Sequence, residues 1–250
     1  MTGKRIAILG STGSIGCSAL DVIDHLGSPY QAVALAANRS IEKLLEQAKK
    51  HKPKSIALAD NQACEAAEAE FRLLGIETYH GASGLIDLVQ RDDVDTVLAA
   101  IVGAAGLPAT MAAVRAGKSI ALANKESLVM AGSLLIPEAT ARGVTILPVD
   151  SEHSAIFQAM QCGRRCDVRK VILTASGGPF RKTPLDQMRR ASRAEALQHP
   201  TWKMGNKVTI DSATMFNKGL ELIEACWLFD LRPEQVEIVI HPESIVHSMV

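Results

Sequence analysis

Over the first 150 residues, apolar runs of four to six residues alternate with longer stretches in which apolar positions recur every three to four residues. The runs 5–9, 32–35, 55–58, 96–100, 119–122 and 144–147 predict strands. Continuous apolar runs of this length suit a parallel sheet hidden on both faces. Between them, 15–26, 41–50, 63–74, 108–116 and 127–141 predict amphipathic helices, several ending at Gly27, Gly75, Gly117 or Gly143, where a left-handed cap is expected. The alternation predicts an α/β fold with a doubly wound parallel sheet over 1–149. After residue 150 the pattern changes to a helix (155–161), a strand (169–174), a loop rich in Gly, Pro and Arg, a helix near 213–228, and strands at 236–240 and 245–250. A second, α+β domain over 150–250 is expected. Because the last apolar run meets no stop signal, the catalytic domain is expected to be truncated and the native product longer.

Composition narrows the function classes. With 47% hydrophobic residues among 250, core is ample, and 27 basic residues balance 27 acidic ones. That balance gives no electrostatic footprint for nucleic acid or an anionic membrane. No apolar run reaches the length of a membrane span. The five cysteines are odd in number and scattered, as reduced thiols would be, and Cys162 and Cys166 lack a second pair to complete a zinc site. The first strand begins within four residues of the N-terminus, which leads us to expect no leader and a cytoplasmic protein.

The first turn carries candidate chemistry. Gly10-Ser11-Thr12-Gly13-Ser14-Ile15-Gly16 follows the first strand and opens the first helix, as a dinucleotide-binding, Rossmann-like turn requires. Glycines let the backbone approach a pyrophosphate at the helix N-terminus. The spacing is GxxGxxG rather than GxGxxG, so a plain tight turn stays open. After the second strand, Asn38-Arg39-Ser40 offers a cation and no acid, which suits a 2′-phosphate and predicts NADP over NAD. Asn124-Lys125-Glu126 lies at the crevice end of a later strand, where Asn124 and Glu126 can meet a cofactor and Lys125 a substrate. The same residues also read as an ordinary N-cap and first helical turn.

Asp150 and Glu152 stand two apart after an apolar run. Read as extended chain, they aim their carboxylates the same way, as a hard divalent cation needs, whereas a helix N-terminus would also welcome them. Val208 to Glu221 reads as a strand running into a helix, with Ser212 at the entrance, Asn217 and Glu221 on one face, and Lys218 beside them. Glu221 would add a third carboxylate; an exposed Lys218–Glu221 pair is the plainer reading. Oxygen-only ligation favours Mg²⁺ or Mn²⁺ over zinc. Ser176 in Ser-Gly-Gly-Pro-Phe faces a Gly-Gly turn suited to an anion. His199-Pro-Thr-Trp202-Lys-Met-Gly205 suits a closing lid, unless Trp202 fills core.

Together with Ala100-Ile-Val-Gly-Ala-Ala-Gly and Pro148-Val-Asp-Ser-Glu-His, these motifs resemble the 1-deoxy-D-xylulose 5-phosphate reductoisomerase family, in order and across almost the whole chain. The resemblance implies an NADPH- and metal-dependent oxidoreductase with an isomerase step, which makes 2-C-methyl-D-erythritol 4-phosphate in non-mevalonate isoprenoid synthesis. It implies NADPH contacts at Thr12, Gly13, Ser14, Ile15, Asn38, Arg39, Ser40, Asn124, Glu126 and Gly205. It implies Mg²⁺, Mn²⁺ or Co²⁺ on Asp150, Glu152 and Glu221, with Lys125 joining these three as catalytic. Substrate contacts are implied at Lys125, Ser151, Glu152, Ser176, His199, Ser212, Asn217, Lys218 and Glu221, with phosphate on Ser176, Ser212, Asn217 and Lys218. Many family members carry Gly-Lys-Asn where this chain has Asn38-Arg39-Ser40. A further part of the catalytic domain, a C-terminal helical domain and a homodimer of the full-length form are also implied. The sugar phosphate is the expected partner, with no nucleic acid or membrane. Two other readings remain: a non-catalytic NADPH-binding fragment and a simple NADP-dependent dehydrogenase.

Overall fold

The computed structural model describes residues 4–250, which form two compact units divided between Leu147 and Pro148. In the first unit, strands β1 (Lys4–Leu9), β2 (Tyr30–Ala37), β3 (Ser55–Leu58), β4 (Glu77–His80), β5 (Thr96–Ala99), β6 (Ser119–Leu122) and β7 (Ile146–Pro148) make one sheet in the order β4-β3-β2-β1-β5-β6-β7. β1 pairs in parallel with both β2 and β5. The strand order therefore reverses between β1 and β5, and a crevice opens at the carboxyl ends there. Helices α1 (Ser14–Leu26), α2 (Ile41–His51), α3 (Asn61–Leu73), α4 (Gly81–Gln90), α5 (Leu107–Arg115) and α6 (Lys125–Ala141) connect the strands.

Ile8, Leu9, Leu35, Ile56, Leu58, Ile120 and Leu122 are fully buried, as central parallel strands demand. The four glycines expected to cap helices all have positive φ. β4 and α4 are additions to the expected pattern. Glu77-Thr78-Tyr79-His80 is an edge strand with no fully buried residue, so it lacks the apolar run that marks the others. α4 begins on Gly-Ala-Ser-Gly, a poor helix signal, yet buries Leu85, Leu88 and Val89.

The second unit contains α7 (Ser151–Met160), β8 (Val171–Ala175), the short helices α8 (Leu185–Met188) and α9 (Arg193–Ala196), α10 (Asn206–Ala213), α11 (Phe216–Phe229), β9 (Val236–Ile240) and β10 (Ser248–Met249). Its sheet has the order β10-β8-β9, with β8 parallel to β9 and antiparallel to β10. Ile156, Val171, Leu173, Ala225, Phe229, Leu231 and Val236 form its core.

Four expectations are corrected by the structure. Residues 208–212 are not a strand but the middle of α10, because Thr209 and Ala213, four apart, share its buried face. The helix expected near 213–228 is two helices, broken at Thr214 and at Met215, whose φ of 66° is left-handed. Asp150 and Glu152 are not in extended chain either: α7 starts at Ser151, with Asp150 at its N-cap and Glu152 in its first turn. The expected strand 245–250 shrinks to the two residues of β10.

Candidate functional site

β1 delivers the chain to the turn at residues 10–13, and α1 begins with Gly13 at its N-cap. No side chain caps that helix and no acidic residue lies in its first turn. Its leading amides and dipole thus favour an anion. A Cβ on Gly16 would lie 2.4 Å from the Gly10 carbonyl oxygen and 2.5 Å from Ser11 Cα, so the turn closes only around glycine. Thr12, Gly13, Ser14 and Ile15 line this turn and helix start, and Ile15 is an exposed apolar side chain at its mouth.

α2 braces the same turn. Gln47 Nε2 donates to the Ser11 carbonyl at 2.8 Å, and Lys43 Nζ donates to the Thr12 carbonyl at 2.8 Å. Neither residue was anticipated, although their i,i+4 spacing puts them on one helical face.

Asn38, Arg39 and Ser40 follow β2, with Ser40 at the N-cap of α2. Arg39 Nε donates to Asp60 at 2.7 Å while the side chain stays 77% exposed. Asp60 caps α3 through the Ala63 amide; that bond first, and Arg39 second, hold its carboxyl below the usual range. Asn124 is nearly fully buried and its side chain serves the fold: it accepts from the Ser127 amide at 2.8 Å and donates to the Gly103 carbonyl at 2.9 Å. Lys125 and Glu126 open α6, and Lys125 is buried.

The second unit gathers the acids. Carboxylate oxygens of Asp150, Glu152 and Glu221 lie within 4.8 Å of one another. The sequence separation of 69 residues is closed by setting α7 beside α11. The plainer reading of an exposed Lys218–Glu221 pair is thereby corrected: both residues are buried. Lys218 Nζ donates to Glu152 at 2.9 Å and to Glu221, Asn217 donates to Glu221, and Ser151 donates to Glu152 at 2.6 Å. Burial, and then the nearby Glu221 charge, hold the Glu152 carboxyl above its usual range despite Lys218. Burial alone would lower the Lys218 pKa, but the Glu221 and Glu152 charges outweigh it and raise it. Crowded carboxylates of this kind are relieved by a cation, and an all-oxygen donor set fits a hard divalent ion.

His153, unanticipated as a site residue, is completely buried behind the acids. Burial would lower its pKa, yet the Asp150, Glu224 and Glu221 carboxylates push it up to about 9. The remaining polar groups frame a loop. Ser176 Oγ lies 3.1 Å from His199 Nε2, and His199 Nδ1 accepts from the Trp202 amide at 2.9 Å. Burial, then Arg181, holds the His199 imidazole below its usual pKa. Trp202 is 44% exposed and meets the His247 ring edge-on, so it does not fill core. Gly205 is the N-cap of α10, and Ser212 Oγ donates back to the Val208 carbonyl at 2.7 Å. Gly178 has a φ of +66°, and a Cβ there would stand 2.1 Å from the Ser212 carbonyl oxygen. The Gly-Gly turn is thus pressed directly onto the end of α10.

Comparison with known proteins agrees with this geometry. A family model described as 1-deoxy-D-xylulose 5-phosphate reductoisomerase matches residues 6–132, and one described as the C-terminal domain of that enzyme matches 146–229. The chain is 52% identical to 1-deoxy-D-xylulose 5-phosphate reductoisomerase of Anaeromyxobacter dehalogenans and 51% identical to that of Phocaeicola vulgatus, over 99% of its own length. It spans 63% and 64% of the length of those two relatives. A crystal structure of DOX-P reductoisomerase in complex with NADPH, fosmidomycin and magnesium superposes with a TM-score of 0.92 at 47% identity, covering 98% of this chain and 63% of that one. The Zymomonas mobilis enzyme in complex with NADPH gives a TM-score of 0.91 at 46% identity, covering 99% of this chain and 64% of that one. The chain belongs to the 1-deoxy-D-xylulose 5-phosphate reductoisomerase family.

Proposed function

We propose that this chain carries the cofactor- and metal-binding parts of an enzyme that rearranges and reduces 1-deoxy-D-xylulose 5-phosphate to 2-C-methyl-D-erythritol 4-phosphate. The observation that carries this reading is the convergence of Asp150, Glu152 and Glu221 within one partly buried acidic cluster. An uncapped glycine turn built for a dinucleotide pyrophosphate supports it. A simple dehydrogenase has no need of the three acids. On this reading residues 1–149 bind NADPH and 150–250 bind metal and substrate.

Thr12, Gly13, Ser14 and Ile15 take the pyrophosphate end of NADPH, and Asn38, Arg39 and Ser40 take its 2′-phosphate. Asn124 and Glu126 support the cofactor from α6, the former chiefly by fixing the backbone, and Gly205 meets it from the lid loop. Asp150, Glu152 and Glu221 hold Mg²⁺ or Mn²⁺. When bound, the cation supplies Lewis-acid polarisation of a substrate oxygen and NADPH supplies hydride.

The other named side chains bind and orient the sugar phosphate. Ser176, Ser212, Asn217 and Lys218 take its phosphate, for which Lys218 shifts part of its bonding from Glu152 and Glu221. Ser151, Lys125 and His199 contact the rest, with Lys125 stabilising negative charge. Phosphate binding then contributes to closing the 199–205 loop and shedding water. By extension from the family, the reaction belongs to non-mevalonate isoprenoid synthesis and the whole enzyme is a homodimer. The free state of all five cysteines supports a reducing, cytoplasmic setting.

The test is metal-dependent NADPH oxidation with 1-deoxy-D-xylulose 5-phosphate, with Glu152→Gln alongside. Turnover should fall by at least 100-fold in Mg²⁺ or Mn²⁺ while the NADPH Kd stays within twofold. Undiminished turnover would remove Glu152 from the site. Because the chain spans under two thirds of its relatives, a second reading follows: it binds NADPH and metal without turnover. Binding of both ligands with no product would select that reading.

A further inference from the structure

Among the buried ionisable groups, Glu224 has no part in the function proposed above, yet it lies 1% exposed behind the acidic cluster. It is one helical turn beyond Glu221 on α11, and its carboxylate stands 3.6 Å from His153 Nδ1. His153 is likewise one turn beyond Asp150 on α7, with Asp150 Oδ1 at 3.9 Å from the same nitrogen. Its other nitrogen, Nε2, lies 2.9 Å from the Glu221 carbonyl oxygen. A carbonyl only accepts, so Nε2 carries a proton and Nδ1 is the atom turned towards the two carboxylates. The ring also stacks on Phe229, with centroids 6.3 Å apart. One imidazole thereby hydrogen-bonds the Glu221 backbone on one helix and stands 3.9 Å from the Asp150 carboxylate on the other.

We infer that Glu224 is a positioning residue: through His153 it fixes Asp150 and the Glu221 backbone so that the three outer carboxylates converge on one cation. This rests on the metal site of the proposed function. Stability alone is a poor reason for the pair, since a buried ion pair often stabilises no more than apolar side chains of the same volume. Its placement is explained by what it touches. Outer groups that orient metal ligands are worth about 10- to 100-fold in metal affinity.

Asp150, His153 and Glu224 also stand close enough to form a three-ligand group of their own, so the number of ions bound separates a positioning role from a second metal site.

The test is Mn²⁺ binding by the 250-residue chain, followed by electron paramagnetic resonance, with Glu224→Gln and Glu152→Gln compared. Glu224→Gln keeps the shape and removes the charge. The unmutated chain should bind one Mn²⁺, Glu152→Gln should abolish that binding, and Glu224→Gln should weaken it about 10-fold or more with NADPH affinity unchanged. Glu224→Asp, which restores the charge, should recover part of the loss. Normal affinity in Glu224→Gln, with Glu152 still required, would overturn the positioning role alone. Two Mn²⁺ per chain, one of them lost in Glu224→Gln, would overturn it in favour of a second metal site. Absence of any Glu152-dependent binding in the unmutated chain would overturn the metal reading, and this role with it. Should Glu224→Gln not fold, Glu224→Asp decides: its shorter carboxylate should still weaken Mn²⁺ binding several-fold with NADPH affinity unchanged, and unchanged Mn²⁺ affinity would overturn the inference.

Discussion

The two candidate sites are built from opposite materials. At the turn between β1 and α1 the functional groups are backbone amides, and side chains such as Gln47 and Lys43 serve to hold the backbone in place. In the acidic cluster the functional groups are side chains, drawn from two helices whose ligands are separated by 69 residues. The first kind of site is local: strand, turn and helix N-terminus occupy a dozen consecutive positions. The second exists only once α7 packs against α11, and the burial and then the crowding this creates are visible in the Glu152 carboxyl, held above its usual range. A backbone site tolerates side-chain changes but not glycine replacement, whereas the acidic cluster depends directly on its side chains.

The comparison breaks first at Gly16. Adding one methyl should weaken NADPH binding by about 100-fold, roughly 2.7 kcal/mol, because it meets the Gly10 carbonyl oxygen at 2.4 Å and Ser11 Cα at 2.5 Å. Fluorescence titration should show this loss with Mn²⁺ affinity unchanged. A parallel loss of Mn²⁺ would mean that the two sites are not separately built.

In the second unit the corresponding change is Gly178→Ala. Its Cβ would collide with the Ser212 carbonyl in a left-handed backbone conformation, so the unit should lose roughly 1–3 kcal/mol. A fall of several degrees in the melting temperature of this unit is the expected reading. An unchanged melt would show that the Gly-Gly turn is free to move away from α10.

A smaller effect separates side-chain from backbone recognition within the nucleotide site. Arg39→Ala should weaken NADPH about 10-fold and leave NADH almost unaffected, since only NADPH carries the 2′-phosphate. Equal losses for both would assign Arg39 to the Asp60 ion pair alone.

The smallest effect concerns acid stability of the first unit. Arg5 hydrogen-bonds Asp95 and holds its carboxyl down at about 2, below the roughly 3.9 of an unfolded chain. A depressed carboxyl stabilises the fold above the unfolded value and loses that contribution as pH falls from about 4 towards 2. The pair is more than one third exposed on both sides, so about 0.5 kcal/mol is expected. Asp95→Asn should therefore reduce stability at pH 6 and match the unmutated chain near pH 2. An equal difference at both pH values would exclude this linkage.

The sequence by itself determined the strands of the parallel sheet whose apolar runs are continuous, the helices ending on left-handed glycines, and the turn at residues 10–16. These depend on neighbours within a few positions, and local backbone geometry decides them. Tertiary structure alone decided the rest. β4 pairs through its backbone at a sheet edge, so its side chains carry no apolar signature. The 208–212 segment, rich in β-branched residues, became helical because packing of its Thr209 and Ala213 face overrides propensity. Asp150 and Glu152 were expected to converge in extended chain, but they lie at a helix start, and that start meets Glu221 only through the packing of α7 on α11. His153 and Glu224 each stand three residues after a candidate ligand, Asp150 and Glu221, but nothing along the chain pairs them with each other. Their relation is between helices, and burial of opposite charges at 3.6 Å is written in the packing rather than along the chain.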